Sequence, residues 1–250
     1  MPKIARLIYR NFAINVDAST LTVLIAMPAL YVIFFGLGYQ SMMSGGSSYL
    51  SFLAPGIMAS QALMAGLFTG GMLWSDRRWG MLAQILVSPF SRLDYLVGLI
   101  VTSISIGLIG SAAMLAIALA LLQSFNFTLI GASLMVITLT LGSVFFGSLF
   151  LIIAALVKSS VTFNSLQNIL VFALDFASTV FYPLSGSIPL PMRILMAANP
   201  LTYVADLTRD GFFNEFTAST AYQLIGLAAA SLLLLYGAAA VYSKMKIYTQ

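Results

Sequence analysis

The feature that most constrains this sequence is a set of six long apolar runs with almost no charge. They cover roughly residues 20–40, 50–73, 94–122, 129–157, 162–182 and 222–243. Each is close to or above the ~20 apolar residues that an α-helix needs to cross a bilayer. Only 7% of the 250 residues are charged, too few to cover a water-soluble fold. The sequence predicts an all-α integral membrane protein with six transmembrane helices in a single domain, residues 1–250.

The distribution of lysine and arginine predicts the orientation in the membrane. If the N-terminus is inside, Arg193 and Arg209 are the two cations outside, and the other nine of the eleven lie on the cytoplasmic side. Such a bias places both termini in the cytoplasm of a multi-pass protein of the cell membrane. The net charge of +4 is thus explained by topology, and no nucleic-acid partner is expected. The nine inner cations are Lys3, Arg6, Arg10, Arg77, Arg78, Arg92, Lys158, Lys244 and Lys246.

The composition argues against chemistry within this chain. Cysteine and histidine are both absent, which removes the commonest metal ligand and general base, and carboxylates are few. Lys158-Ser159 lacks the glycines of a phosphate-binding loop. No catalytic residue, metal or cofactor is expected in the chain, so energy must come from a partner or an ion gradient.

The first residues, 1–16, form an amphipathic pattern. Lys3, Arg6 and Arg10 share one helical face, and apolar residues such as Ile4 and Ile8 lie on the other. This pattern predicts a helix in the inner membrane interface with its cations toward the lipid headgroups. Two interpretations stay open, a simple topology anchor and a docking element for a partner.

The cytoplasmic stretch 74–92 is too polar to span the membrane, yet it is patterned. Its apolar residues recur at helical spacing until Pro89, which predicts a short amphipathic helix with Arg77 and Arg78 at its start. Cations at a helix N-terminus oppose the helix dipole, so local stability does not explain them. They suit anionic headgroups or an acidic partner surface, and a solvated loop that obeys the charge bias is an equal alternative.

A polar stripe runs along the fifth apolar run. Asn164, Asn168, Asp175 and Ser178 fall within ~80° on a helical wheel. A carboxylate in the membrane usually faces a cavity or a partner, because burying it in lipid is costly. We favour a translocation path over the alternative of hydrogen bonds between neighbouring helices.

The outer segment 183–221 is too broken to span and too apolar for a free loop. Helical spacing continues on both sides of Asn199-Pro200, with Asp206 and Arg209 one turn apart. The pattern predicts a re-entrant helix pair that dips into the outer leaflet, where irregular backbone needs protein or a water-filled cavity beside it.

These features together resemble the permease subunits of type-2 ABC exporters over the whole chain. Residues 78–92, Arg-Trp-Gly-Met-Leu-Ala-Gln-Ile-Leu-Val-Ser-Pro-Phe-Ser-Arg, resemble that family's coupling helix between the second and third spans. Tyr182-Pro183-Leu184 and residues 199–209, Asn-Pro-Leu-Thr-Tyr-Val-Ala-Asp-Leu-Thr-Arg, resemble its motifs before the last span. Asp76-Arg77-Arg78 departs from the family pattern. An acidic residue usually stands directly beside the arginine of this motif, whereas Arg78 follows a second arginine.

The resemblance implies roles for three groups of residues. The expected contacts with an ATPase subunit are Arg77, Arg78, Gly80, Leu82, Gln84, Leu86, Pro89 and Arg92. The expected path residues are Asn164, Asn168, Asp175 and Ser178. The expected outer gate consists of Pro183, Asn199, Pro200, Tyr203, Asp206 and Arg209.

The resemblance also implies partners and cargo. Two copies of this chain would assemble in the lipid membrane with two copies of a separate ATP-binding subunit, which would hold ATP and Mg. The cargo would be an amphipathic or hydrophobic molecule, such as a drug-like compound, a lipid or a glycolipid conjugate. An ion-coupled transporter or channel that uses Asp175 is the alternative, and a membrane scaffold without transport is a third interpretation.

Overall fold

The computed structural model describes residues 3–15, 18–38, 49–122, 128–186 and 188–245. Regular structure in these ranges is helical throughout, as the sequence predicts. The elements are α1 (Lys3–Asn15), α2 (Ala18–Tyr31, continued by a π-helical stretch Val32–Leu37), α3 (Tyr49–Arg78), α4 (Met81–Val87), α5 (Arg92–Leu121), α6 (Leu129–Leu156), α7 (Ser160–Phe176), α8 (Leu190–Ala198), α9 (Pro200–Phe213) and α10 (Ala218–Lys244).

Among the described residues, four helices are long and apolar enough to cross a membrane, namely α3, α5, α6 and α10. They confirm that the chain is an integral membrane protein. The other two predicted spans correspond to shorter helices, α2 with its π-helical continuation and α7, which has 17 residues. The fifth predicted span is also shorter than expected, because α7 ends at Phe176 and residues 177–182 are not helical.

α3 is the central helix of the bundle and packs on α5, α6 and α9. The contact between α3 and α6 is close because glycines of α3 face α6. A Cβ atom on Gly66 would lie 2.5 Å from the Phe146 carbonyl carbon. Gly70 repeats this one turn later, where a Cβ atom would lie 2.7 Å from Phe150 Cβ. Small residues four apart let two helix backbones approach within a membrane. α10, by contrast, lies at the periphery with a largely exposed apolar surface.

The N-terminal helix α1 lies against α5. Leu7 is 3% exposed and packs beside Gly98, while Tyr9 on another face is 69% exposed. Arg6 is exposed, as an interfacial helix requires. Arg10 does not follow the predicted orientation toward headgroups, because it forms an ion pair with Asp76 of α3 at 2.5 Å.

The outer segment contains the two predicted helices, α8 and α9, which meet at Asn199. α9 has 14 residues, and its apolar face belongs to the protein core. The fully buried residues of this face include Leu201, Val204, Ala205 and Leu207. The outer segment is therefore an integral part of the bundle packing.

Candidate functional site

The segment 74–92 contains the predicted short helix, α4, but the helix begins later than expected. α3 continues through Arg78, and Gly80 then turns the chain with a φ of 73°, which glycine adopts without a Cβ clash. Arg77 and Arg78 thus lie in the last turn of α3, which corrects their predicted place at the start of the next helix. Cations at a helix C-terminus interact favourably with its dipole, so local stability does contribute to their placement.

The two faces of α4 have different environments. Leu82 is 0% exposed and Ile85 is buried beside it, in the core at the same end of the bundle as Leu73 and Tyr242. Leu86 is half-buried at the edge of this contact. The opposite face is open: Gln84 is exposed, and Val87 is 90% exposed. Leu82 therefore holds α4 in place. The face that carries Gln84 and Val87 points away from the core and is accessible to a partner.

The accessible surface continues on both sides of α4. Trp79 is 74% exposed, and the exposed guanidinium of Arg78 lies 5.3 Å from the Trp74 ring centroid. After α4 the chain becomes extended at Ser88, and Pro89 is exposed. Aromatic, arginine and aliphatic side chains that are solvent-exposed together are typical of a protein-binding surface.

Arg77 and Arg92, two of the residues predicted to contact a partner, donate hydrogen bonds to backbone carbonyls of this chain. The acceptors of Arg77 Nη1, at 2.9–3.3 Å, are the carbonyl oxygens of Ala154, Ala155 and Val157 at the C-terminus of α6. The acceptors of Arg92 Nη1, at 2.7–3.4 Å, are the carbonyl oxygens of Tyr242, Ser243 and Met245 at the C-terminus of α10. Each arginine caps the end of a helix whose last carbonyls have no helical partner. The two arginines tie the segment 74–92 to the C-terminal ends of α6 and α10.

Sequence reasoning missed the buried cluster around Asp76. Its carboxylate accepts two hydrogen bonds from Arg10, at 2.7 and 2.5 Å, and one from the Tyr95 hydroxyl at 2.7 Å. These hydrogen bonds and the negative charge of Asp76 raise the pKa of the Arg10 guanidinium, although burial opposes the rise. Only the isolated acidic residue in a basic loop could have signalled this arrangement.

The structure divides the predicted polar stripe into two parts. Asn164 and Asn168 are exposed on the outer surface of α7. Asp175 is 7% exposed, and the Ser60 hydroxyl of α3 donates to its carboxylate at 2.6 Å. Ser178 is also buried, beyond the end of α7, and donates to the Asp175 carbonyl. The four residues share a face in sequence, but the structure does not bring them to one surface.

Asn199 joins the outer helix pair to the end of α7. Its side-chain oxygen accepts from the Leu201 amide and caps α9, which begins with Pro200. Its Nδ2 donates to the carbonyl oxygens of Leu174 and Ala177, both at 2.7 Å. Asparagine at an N-cap before proline at N1 is a common helix start, so the local sequence explains the motif.

Arg209 and Asp206 form the predicted pair one turn apart, with 2.9 Å between Nη1 and Oδ1. Arg209 also donates to the carbonyl oxygens of Thr179 and Phe52, and its guanidinium lies 3.9 Å from the Phe52 ring centroid. The Thr179 hydroxyl donates to Asp206 at 2.7 Å. This network fixes α9 against α3 and the segment after α7.

The other two gate candidates have fewer contacts. Tyr203 is half-buried, and its hydroxyl donates to the Ala197 carbonyl of α8 at 2.7 Å. Pro183 is exposed. Of the six predicted gate residues, Asn199, Tyr203, Asp206 and Arg209 therefore form hydrogen bonds to neighbouring elements, Pro200 begins α9, and Pro183 is exposed.

A polar cavity of about 440 Å³ lies beside the C-terminal end of α9. Its lining residues are Asp206, Arg209, Asp210, Phe213, Glu215, Thr217, Ser219 and Gln223. Within the described part of the chain, no group of three or more Asp or Glu side chains is arranged to hold a metal ion. The cavity offers hydroxyl, amide and carboxylate groups without the geometry of a metal centre.

Comparison with known proteins identifies the family. The sequence model of the ABC-2 type transporter family matches residues 3–213. A search of curated proteins finds no significant match. The family match covers every helix from α1 to α9, including the α4 segment and the outer helix pair. The chain therefore belongs to the ABC-2 type transporter family and is a membrane-embedded permease subunit of an ABC transporter.

Proposed function

We propose that this permease is an exporter subunit that a separate ATP-binding subunit drives through α4. Membership of the ABC-2 family implies such a partner. The observation that carries the proposal is the two-sided environment of α4, with Leu82 in the core and the face around Val87 open. A movement imposed on the open face is passed to α3 and α5, because the chain enters α4 from one and leaves it into the other.

The proposed contact surface is the exposed set around α4, which consists of Arg78, Trp79, Gln84, Val87 and Pro89. Gly80 sets the direction of α4, and Leu82 and Leu86 support it from beneath. Arg77 and Arg92 contribute by anchoring the loop to the ends of α6 and α10. ATP and Mg belong to the partner subunit.

Substitution of Gly80 by proline tests this proposal. Proline fixes φ near −65°, which is incompatible with the left-handed turn at Gly80. We expect the variant to insert in the membrane but to lose co-purification with the ATP-binding subunit that the family membership implies. Gly186→Pro is the matched control, because this glycine also has open space around it and lies in the outer segment. Normal ATPase binding by Gly80→Pro would refute the coupling role.

We further propose a homodimer with six spans per chain, both termini in the cytoplasm, and two ATPase copies. α2 and α7 would complete the six spans. The exposed amide side chains of Asn164 and Asn168 on α7 support a polar face that meets a second copy. Lipid favours apolar surfaces, so amide groups on a membrane helix are better satisfied in a hydrated cleft between subunits. The cleft would carry an amphipathic or hydrophobic cargo outward, and the outer helix pair 183–221 would close it.

Cysteine labelling tests the cleft, because the native chain contains no cysteine. We expect Asn168→Cys to react with a water-soluble thiol reagent and to form a disulfide with the same position in the second copy. Leu233→Cys is the control, since this residue is 72% exposed on the peripheral helix α10 and would face lipid. Equal reactivity at both positions, or no crosslink at position 168, would refute the cleft.

A further inference from the structure

The Asp76 carboxylate lies where three separate segments meet. It belongs to the last turn of α3, Arg10 reaches it from α1, and Tyr95 reaches it from the first turn of α5. Only 8% of Asp76 and 1% of Tyr95 are exposed, so the carboxylate and the hydroxyl meet away from solvent, while the Arg10 side chain is 17% exposed at the edge of the cluster. A buried charge-assisted network of this kind is strong when complete and costly when one partner is removed.

The hydrogen bond from Tyr95 to Asp76 joins the two ends of the segment that carries α4, residues 77–94, which we call the α4 loop; this junction is its base. These residues flank the segment that carries α4 and are 19 positions apart in the chain. Tyr95 is 1% exposed and stacks on Tyr242 of α10, with 6.0 Å between ring centroids. The two ends of the loop are therefore held at a fixed separation.

The same carboxylate ties α1 to this base. The hydrogen bonds between Arg10 and Asp76 are bidentate, which fixes orientation as well as distance. Asn11, the next residue, is 1% exposed and donates to the Thr102 hydroxyl of α5 at 3.1 Å. α1 is thus bound to both helices that flank α4, although it is remote from α4 in sequence.

We infer that Asp76 is a positioning residue that links the interfacial helix α1 to the base of the α4 loop. A movement of α4 then shifts α1 within the membrane interface, together with α3 and α5. This inference rests on the proposed role of α4 as the contact for an ATP-binding subunit. The Asp76 link gives a movement of α4 a second route to the membrane surface. This route consists of side-chain hydrogen bonds to α1, whereas the first consists of the backbone connections to α3 and α5.

A fluorophore on α1 tests the link. Tyr9→Cys places an environment-sensitive label on an exposed position of α1 in an otherwise cysteine-free chain. The labelled permease is reconstituted with its ATP-binding subunit in lipid vesicles, and fluorescence is recorded before and after trapping with ATP, Mg and vanadate. We expect a fluorescence change with Asp76 present, loss of the change in Asp76→Asn, and its retention in Asp76→Glu. ATP hydrolysis and co-purification are measured in parallel.

Two tyrosine variants provide a matched comparison if Asp76→Asn does not assemble. Tyr95→Phe removes the hydroxyl that donates to Asp76, whereas the stacked Tyr242 hydroxyl has no hydrogen-bond partner among the described residues. We expect Tyr95→Phe to weaken the α1 response and Tyr242→Phe to leave it unchanged. An unaltered response in Asp76→Asn or Tyr95→Phe, or no response in the native chain, would overturn the inference. Failure of the native chain to co-purify with the ATPase would instead overturn the proposed function, and the inference with it.

Discussion

Gly66 offers a quantitative test of how closely the two central helices pack. A Cβ atom added at this position would lie 2.5 Å from the Phe146 carbonyl carbon and 2.7 Å from its oxygen. These are backbone atoms of α6, which cannot rotate away as the end of a side chain can. Gly66→Ala must therefore separate α3 from α6 or distort one of them.

Gly71 lies in the same helix and provides the reference. A Cβ atom at Gly71 has nothing within 4 Å, so Gly71→Ala introduces the same methyl group without a contact. Both substitutions gain about 1 kcal/mol of helix propensity, which cancels in the comparison. Overpacking a tight contact typically costs about 1–3 kcal/mol. We expect Gly66→Ala to be less stable than Gly71→Ala by that amount.

The free energy of unfolding is measured by titrating SDS into detergent micelles and following tryptophan fluorescence from Trp74 and Trp79. Circular dichroism of the same samples reports whether helix content is unchanged at the start of the titration. We expect Gly71→Ala to match or exceed the native chain. Equal unfolding free energies for the two alanine variants would show that α3 and α6 are not in backbone contact at Gly66.

Three further outcomes are expected. Arg77→Ala should lower the unfolding free energy by about 1.5–3 kcal/mol, because it removes charged hydrogen bonds to the end of α6. Arg78→Ala should change the unfolding free energy little, and a larger loss for Arg78→Ala than for Arg77→Ala would contradict the capping role. Asp175→Asn should fold normally, because an amide oxygen still accepts from the Ser60 hydroxyl. Asp175→Leu should lower the unfolding free energy by about 1–3 kcal/mol in the same titration, and an unchanged value would refute the contact between Asp175 and Ser60. Thr217→Cys should react with an impermeant reagent in intact cells and Val87→Cys only after permeabilisation; the opposite pattern would invert the topology.

The sequence by itself determined the class of protein and the positions of three segments that do not follow the pattern of membrane spans, residues 1–16, 74–92 and 183–221. The apolar runs specify membrane helices because lipid excludes unpaired backbone and charge, whatever the tertiary arrangement. Local chemistry also placed the start of α9, because Asn199 and Pro200 form a helix cap from adjacent residues. The pair of Asp206 and Arg209 followed from helical periodicity alone.

Only the tertiary structure decided which polar residues face a partner and which hold the chain together. Arg77 and Arg78 are adjacent and chemically identical, yet one caps α6 and the other is exposed. Likewise Asp175 is bound to α3, while Asn168 on the same predicted face stays open. Helical periodicity predicts which face a residue occupies, but the neighbour of that face is set by the packing of helices distant in sequence. The ion pair between Arg10 and Asp76, 66 residues apart, exists only because that packing brings α1 to the end of α3.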